Sequence, residues 1–109
     1  MLTVDNKNIE TDKEGYLKNL NDWSVAAANA IAQQESITLT DDHWQVIHLL
    51  RRFYQTYELA PSMRVLVKTV GKELGEFKGR SIYLSQLFPK NAIKQSCKIA
   101  GLPKPTNCV

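Results

Sequence analysis

Thr40-Asp41-Asp42-His43-Trp44-Gln45-Val46-Ile47-His48-Leu49-Leu50-Arg51-Arg52-Phe53-Tyr54-Gln55-Thr56-Tyr57-Glu58 is the stretch that decides the fold class. Thr40 is a helix N-cap, because its side-chain oxygen can accept from an orphan backbone donor of the first turn. Asp41 and Asp42 follow where negative charge suits the helix dipole. Val46, Leu50, Phe53 and Tyr57 then recur at helical spacing, which predicts one long helix over about Asp41 to Glu58. Downstream, Pro61 opens a second helix at a position where its missing N–H does no harm. Met63, Leu66, Val67, Val70 and Leu74 form its apolar stripe, and Gly75 stops it. A polar loop over Glu76 to Arg80 leads to short helices near Ser81–Phe88 and Asn91–Ala100. Upstream, Asp22 or Ser24 caps a helix through about Gln34, with Trp23, Ala27, Ala30 and Ile31 facing inward. Leu2-Thr3-Val4 and Asn8-Ile9-Glu10 flank a turn at Asp5-Asn6-Lys7, which predicts a short hairpin. A lone hairpin is marginal in water, so it must lie against the helices. The expected fold is mainly α (a small α+β domain), with an N-terminal hairpin on a compact bundle of about five helices.

The chain has two cysteines, and both fall in Cys97-Lys98-Ile99-Ala100-Gly101-Leu102-Pro103-Lys104-Pro105-Thr106-Asn107-Cys108-Val109. Chain ends are usually the least ordered part of a domain. A thiol next to a chain end therefore points to chemistry on its sulfur rather than to packing. Gly101 is a helix stop, and Pro103 and Pro105 remove two donors and favour extended backbone. Residues 102–109 thus read as a mobile, semi-stiff arm of a single domain spanning 1–109, with a reach of roughly 25 Å when extended. Cys97 has two open readings: a small buried hydrophobe at the end of the last helix, or a thiol that reacts with Cys108.

Composition fits one globular domain: 109 residues, 43% hydrophobic and 23% charged. No leader and no membrane-spanning run stands out, so the cytoplasm is the expected compartment, where thiols stay reduced. Charge is uneven. Residues 1–50 carry eight acidic and three basic side chains, and residues 51–109 carry three and eleven. Lys90, Lys94 and Lys98 are four apart and share one face of the last helix. They suit either a solvated helix face or a docking surface for acidic partners.

The residues also resemble a known family. Leu87-Phe88-Pro89-Lys90, Lys94-Gln95-Ser96 and the Cys97–Val109 stretch are similar to the C-terminus of the DsrC/TusE sulfur-carrier family. Glu14-Gly15-Tyr16-Leu17, Asn21-Asp22-Trp23, Asp42-His43-Trp44 and Ala60-Pro61-Ser62-Met63-Arg64 fit the same pattern, so the likeness covers about residues 2–109. The resemblance implies a sulfurtransferase that carries a persulfide on Cys108. Of its two branches, TusE-type members pass sulfur toward 2-thiolation of the tRNA wobble uridine, and many lack the counterpart of Cys97. DsrC-type members work with dissimilatory sulfite reductase and keep both cysteines. The implied partners are a TusBCD-like donor complex and a MnmA-like tRNA thiolase, with tRNA reached only indirectly. Lys104 and Arg64 are the expected supporting residues for the sulfur.

Other chemistries fit less well. His43 and His48 are five apart, about 140° around a helix, and do not share a ligand face. The cysteine spacing does not match a zinc site, so no metal is expected. No phosphate loop or nucleophile elbow occurs, and no cofactor is expected. The rival from another class is a helix-turn-helix-like nucleic-acid module. Its second helix would begin at Ser62 and present Arg64, Lys68 and Lys72 on one side.

Overall fold

The computed structural model describes residues 2–105 of the chain. Strands β1 (Leu2–Val4) and β2 (Lys7–Ile9) pair antiparallel, with Leu2 opposite Ile9 and Val4 opposite Lys7. Asp5 and Asn6 form the two-residue turn with φ of 50° and 68°. Such turns match the twist of the strands, and Asp and Asn tolerate the left-handed region better than most residues. Leu2 and Val4 are buried, and β1 packs on the first helix.

Five α-helices follow: α1 (Val25–Gln34), α2 (Asp41–Tyr57), α3 (Met63–Leu74), α4 (Ser81–Leu87) and α5 (Ala92–Ile99). Ser24 Oγ accepts from the Ala27 N–H and starts α1. Trp23 stands outside that helix, because a single 3-10 turn over Leu20–Asp22 precedes it, capped by the Asn19 side chain. At α2 the Thr40 cap has an unusual partner. The Thr40 N–H donates to His43 Nδ1 (3.1 Å), and His43 Nε2–H donates to the Leu87 carbonyl (2.8 Å). These bonds assign the imidazole its tautomer. His43 is buried rather than on the surface, and it joins the start of α2 to the end of α4. His48 is exposed and stacks on Trp44.

Two details of α2 and α3 differ from the sequence reading. Tyr57 is 60% exposed and covers Phe53 instead of entering the core. Pro61 lies one residue before the cap of α3, and Ser62 Oγ accepts from the Val65 N–H. Gly75, with φ 109°, ends α3 as expected.

The last helix is the hub. Six of the eight residues of α5 are buried, and it packs on α1, α2, α3 and α4. The apolar core runs continuously from Leu2 in the hairpin to Leu102 beyond α5. Among the described residues no helix is long and apolar enough to cross a membrane.

Candidate functional site

The site is built around the end of α5. Gly101 has φ 76°, the left-handed conformation that glycine adopts without strain. Its N–H donates to the Lys98 carbonyl (3.1 Å), and the Leu102 N–H donates to the Cys97 carbonyl (2.9 Å). This pair of bonds is a Schellman closure, and its accompanying apolar residue, Leu102, is buried. The packed body therefore continues past the expected start of the arm: Leu102 and Pro105 are both buried. Burial of Leu102 and Pro105 ties the start of this segment to the body.

Two carbonyls of the last turn take donors from elsewhere in the chain. Trp23 Nε1–H donates to the Ile99 carbonyl (2.8 Å), and Arg51 Nη1–H donates to the Ala100 carbonyl (2.7 Å). The Arg51 guanidinium lies 3.8 Å from the centre of the Trp23 ring, so the two donors brace one another. A Cβ on Gly101 would fall 2.3 Å from Trp23 Cδ1, which shows how closely the ring covers the turn. Burial lowers the Arg51 pKa from its ordinary value, and the group remains cationic. A cleft of about 190 Å³ opens beside the turn, lined by Leu20, Asn21, Arg51, Tyr54, Gln55, Gly101 and Leu102.

Cys97 faces the interior. It is fully buried and free, and burial pushes its thiol pKa up to about 12 against a weaker opposing hydrogen bond from Ser96. Only a thiolate is a good nucleophile, so this burial disfavours reaction at the Cys97 sulfur. Burial also raises the Tyr16 phenol above its usual range, reinforced by the fields of Cys97 and Glu14. The Tyr16 hydroxyl donates to the Lys94 carbonyl (3.2 Å) and so holds the Thr11–Leu17 loop against α5.

The basic face of α5 is not uniformly presented. Lys98 turns inward: its ammonium lies 3.4 Å from Glu35 Oε2 and over the Tyr16 ring, with side-chain exposures of 13% for Lys98 and 22% for Glu35. Gln95 donates to the same carboxylate. Lys90 precedes the helix and is exposed. Lys104 forms an ion pair with Glu14, which ties the segment after the turn to the Thr11–Leu17 loop. Arg64 sits on the exposed side of α3 with Lys68 and Lys72. The structure thus keeps Cys97 and Lys98 on α5, ties Lys104 to the loop that packs on that helix, and places Arg64 on a different helix. Cys108 lies outside the described residues. Among the described residues, no group of three or more His, Cys, Asp and Glu side chains could hold a metal ion.

Sequence reasoning gave Arg51, Glu35 and Tyr16 no role at the site, and it read Trp23 as an inward-facing residue at the start of the first helix. One local signal marks Arg51: it stands four residues after buried Ile47 and three before half-buried Tyr54, a cation placed within the apolar face of α2. Its partners, the Ala100 carbonyl 49 positions away and the Trp23 ring 28 positions away, leave no local trace.

The comparisons agree with this architecture. A sequence model described as DsrC-like protein matches residues 3–109. The Sulfurtransferase TusE of Photorhabdus laumondii is 51% identical over 109 residues, covering 100% of this chain and 98% of that protein. The Sulfurtransferase TusE of Yersinia pestis is also 51% identical, covering 100% of both chains. Among solved structures, the NMR structure of Allochromatium vinosum DsrC superposes with a TM-score of 0.89 at 50% identity, covering 100% of both chains. The oxidized gamma-subunit of the dissimilatory sulfite reductase (DsrC) from Archaeoglobus fulgidus gives 0.88 at 38% identity, covering 99% of this chain and 98% of that one. With its five helices, N-terminal hairpin and closed α5 turn, the chain belongs to the DsrC-like family.

Proposed function

We propose that this sulfurtransferase carries its sulfur as a persulfide on Cys108 and relays it toward 2-thiolation of the tRNA wobble uridine. The burial of Cys97 carries this reading. With that thiol protonated and enclosed, Cys108 is the cysteine left for exchange, as a one-thiol carrier requires. The Cys108 thiolate attacks the outer sulfur of a donor persulfide, and the donor thiolate leaves. The acceptor thiolate then attacks the outer sulfur of Cys108–S–SH, and the Cys108 thiolate is released. The donor is a TusBCD-like complex and the acceptor a MnmA-like thiolase, so tRNA is met only through the acceptor. These steps take place among reduced thiols, in the cytoplasm.

Lys104 stands four residues before Cys108 and contributes positive charge that favours the thiolate, while its pairing with Glu14 fixes the base of the segment. Arg64 acts at longer range, adding to the positive field of the second half of the chain.

A second reading, the two-thiol partner of dissimilatory sulfite reductase, is favoured by one observation: a cysteine is present at position 97. Intact-protein mass measurement after incubation with a persulfide donor tests both. One added sulfur on the wild type and on Cys97→Ser, absent from Cys108→Ser, is the expected result. Identical unmodified masses for the wild type and Cys108→Ser overturn the carrier reading. A loss of two hydrogens in the wild type alone supports the two-thiol reading.

A further inference from the structure

A carrier that holds sulfur on Cys108 keeps a second thiol in the same chain, and that thiol is a hazard to its cargo. If the Cys97 thiolate attacked the inner sulfur of Cys108–S–SH, a Cys97–Cys108 disulfide would form. The outer sulfur would depart as hydrosulfide with the bonding pair, and the Cys97 proton would pass to solvent. The Cys97 sulfur is thereby oxidised to the disulfide level and the outer sulfur reduced to sulfide, while the Cys108 sulfur keeps its oxidation level, so no further reagent is required. Nor does chain length forbid it. Eleven positions separate the residues, ample for the Cα separation of about 4.4–6.8 Å that a disulfide needs.

The closed turn begins at Cys97 itself. The Leu102 N–H bonds directly to the Cys97 carbonyl, and Leu102 is buried with Cys97 in the same core. The turn is held from outside the helix by donors on two other elements, Trp23 to the Ile99 carbonyl and Arg51 to the Ala100 carbonyl. The last carbonyls of a helix have no partner within it, so these two donors take the place that water would otherwise fill. Arg51 makes a charge-assisted bond and also stacks on Trp23, so removing either residue loosens the other.

We propose that Arg51 and Trp23 are positioning residues that keep Cys97 out of reach of the sulfur carried on Cys108. The proposal rests on the Cys108 carrier reading for its second half, and the latch itself is tested without any loading.

In the Cys108→Ser background, the rate at which a small alkylating reagent modifies Cys97 in the native protein reports opening of the turn. Losing a hydrogen bond from a charged donor raises the open population by about ten- to a hundredfold, so Arg51→Met should accelerate labelling by that factor. Trp23→Phe keeps an aromatic face but deletes the indole N–H and the five-membered half of the ring system that covers the turn; it should accelerate labelling by at least about three- to tenfold. In chains with both cysteines, loaded with persulfide, the same substitutions should speed hydrosulfide release, and adding Cys97→Ser should return it to the wild-type rate. Unchanged labelling in both folded variants overturns the latch. Faster labelling with wild-type hydrosulfide release, or fast release that persists without Cys97, overturns the insulating role. If Arg51→Met fails to fold, Trp23→Phe decides. If the wild type takes up no sulfur, the carrier reading falls and the labelling rates still judge the latch.

Discussion

Replacing Gly101 by alanine probes the turn in a single methyl group. Gly101 has φ 76°, and in that region a residue with a Cβ pays about 1–2 kcal/mol. The new Cβ would also fall 2.3 Å from Trp23 Cδ1 and 2.7 Å from Cγ. Trp23 cannot yield by swinging its tip, because its own Cβ is 3.0 Å from the same point and its indole N–H is bonded to Ile99. Overpacking of this kind typically adds about 1–3 kcal/mol, so Gly101→Ala should lose about 2–5 kcal/mol in total. That is a large share of the roughly 5–15 kcal/mol by which native domains are stable. Urea unfolding of four proteins measures it: wild type, Gly101→Ala, Trp23→Ala and the double variant. With the ring gone, only the backbone cost of about 1–2 kcal/mol should remain for Gly101→Ala. A cost below about 0.5 kcal/mol in the wild-type background, or the same cost in both backgrounds, refutes the reasoning, since steric contact with Trp23 would then carry nothing.

Three further outcomes follow from the buried groups around α5. The folded Cys97 thiol titrates near 12 against 9.0 for a free thiol. Its contribution is fully present below pH 9, and between pH 9 and 12 it is lost at up to about 1.4 kcal/mol per pH unit. Tyr16, also raised, adds to the loss above pH 10; urea midpoints at pH 8 and 10.5 should show a smaller fall for Cys97→Ala than for the wild type. Glu35→Ala strands the Lys98 ammonium and should cost about 1–3 kcal/mol, part of which returns on adding Lys98→Met; additive costs in a double-mutant cycle would contradict the pairing. The Tyr83 hydroxyl is buried without a hydrogen-bond partner among the described residues, so Tyr83→Phe should be neutral or stabilising by up to about 1 kcal/mol; a thermal-melt loss of more than that would show that the hydroxyl has a partner.

What the sequence made legible was local. Thr40 and the period of Val46 and Leu50 define α2, and Gly75 and Gly101 mark where α3 and α5 end, because caps and stripes act within one or two turns. Trp23 escaped this reading: a 3-10 turn capped by Asn19 takes it out of α1 and aims its indole at a carbonyl 76 positions away. Lys98 escaped it too. Helical spacing places it with Lys94 on a solvated face, yet Glu35 and Tyr16 draw it inward. Pro103 and Pro105 signalled an arm from Leu102, whereas Leu102 itself is buried as the apolar residue of the turn that closes α5. For the site, the cysteine pair was readable and the environment of Cys97 was not, since burial depends on what four other helices bring to α5.

That central position of α5 sets the order in which the protein comes into being. Synthesis runs from the N-terminus, so α1 to α4 leave the ribosome before the helix on which all four close. Until then the apolar faces of Ile31, Leu50, Val70 and Leu84 lack their common partner, and the nascent chain has no finished core. The core is therefore complete only once α5 has docked, and Cys97 is enclosed in the same step.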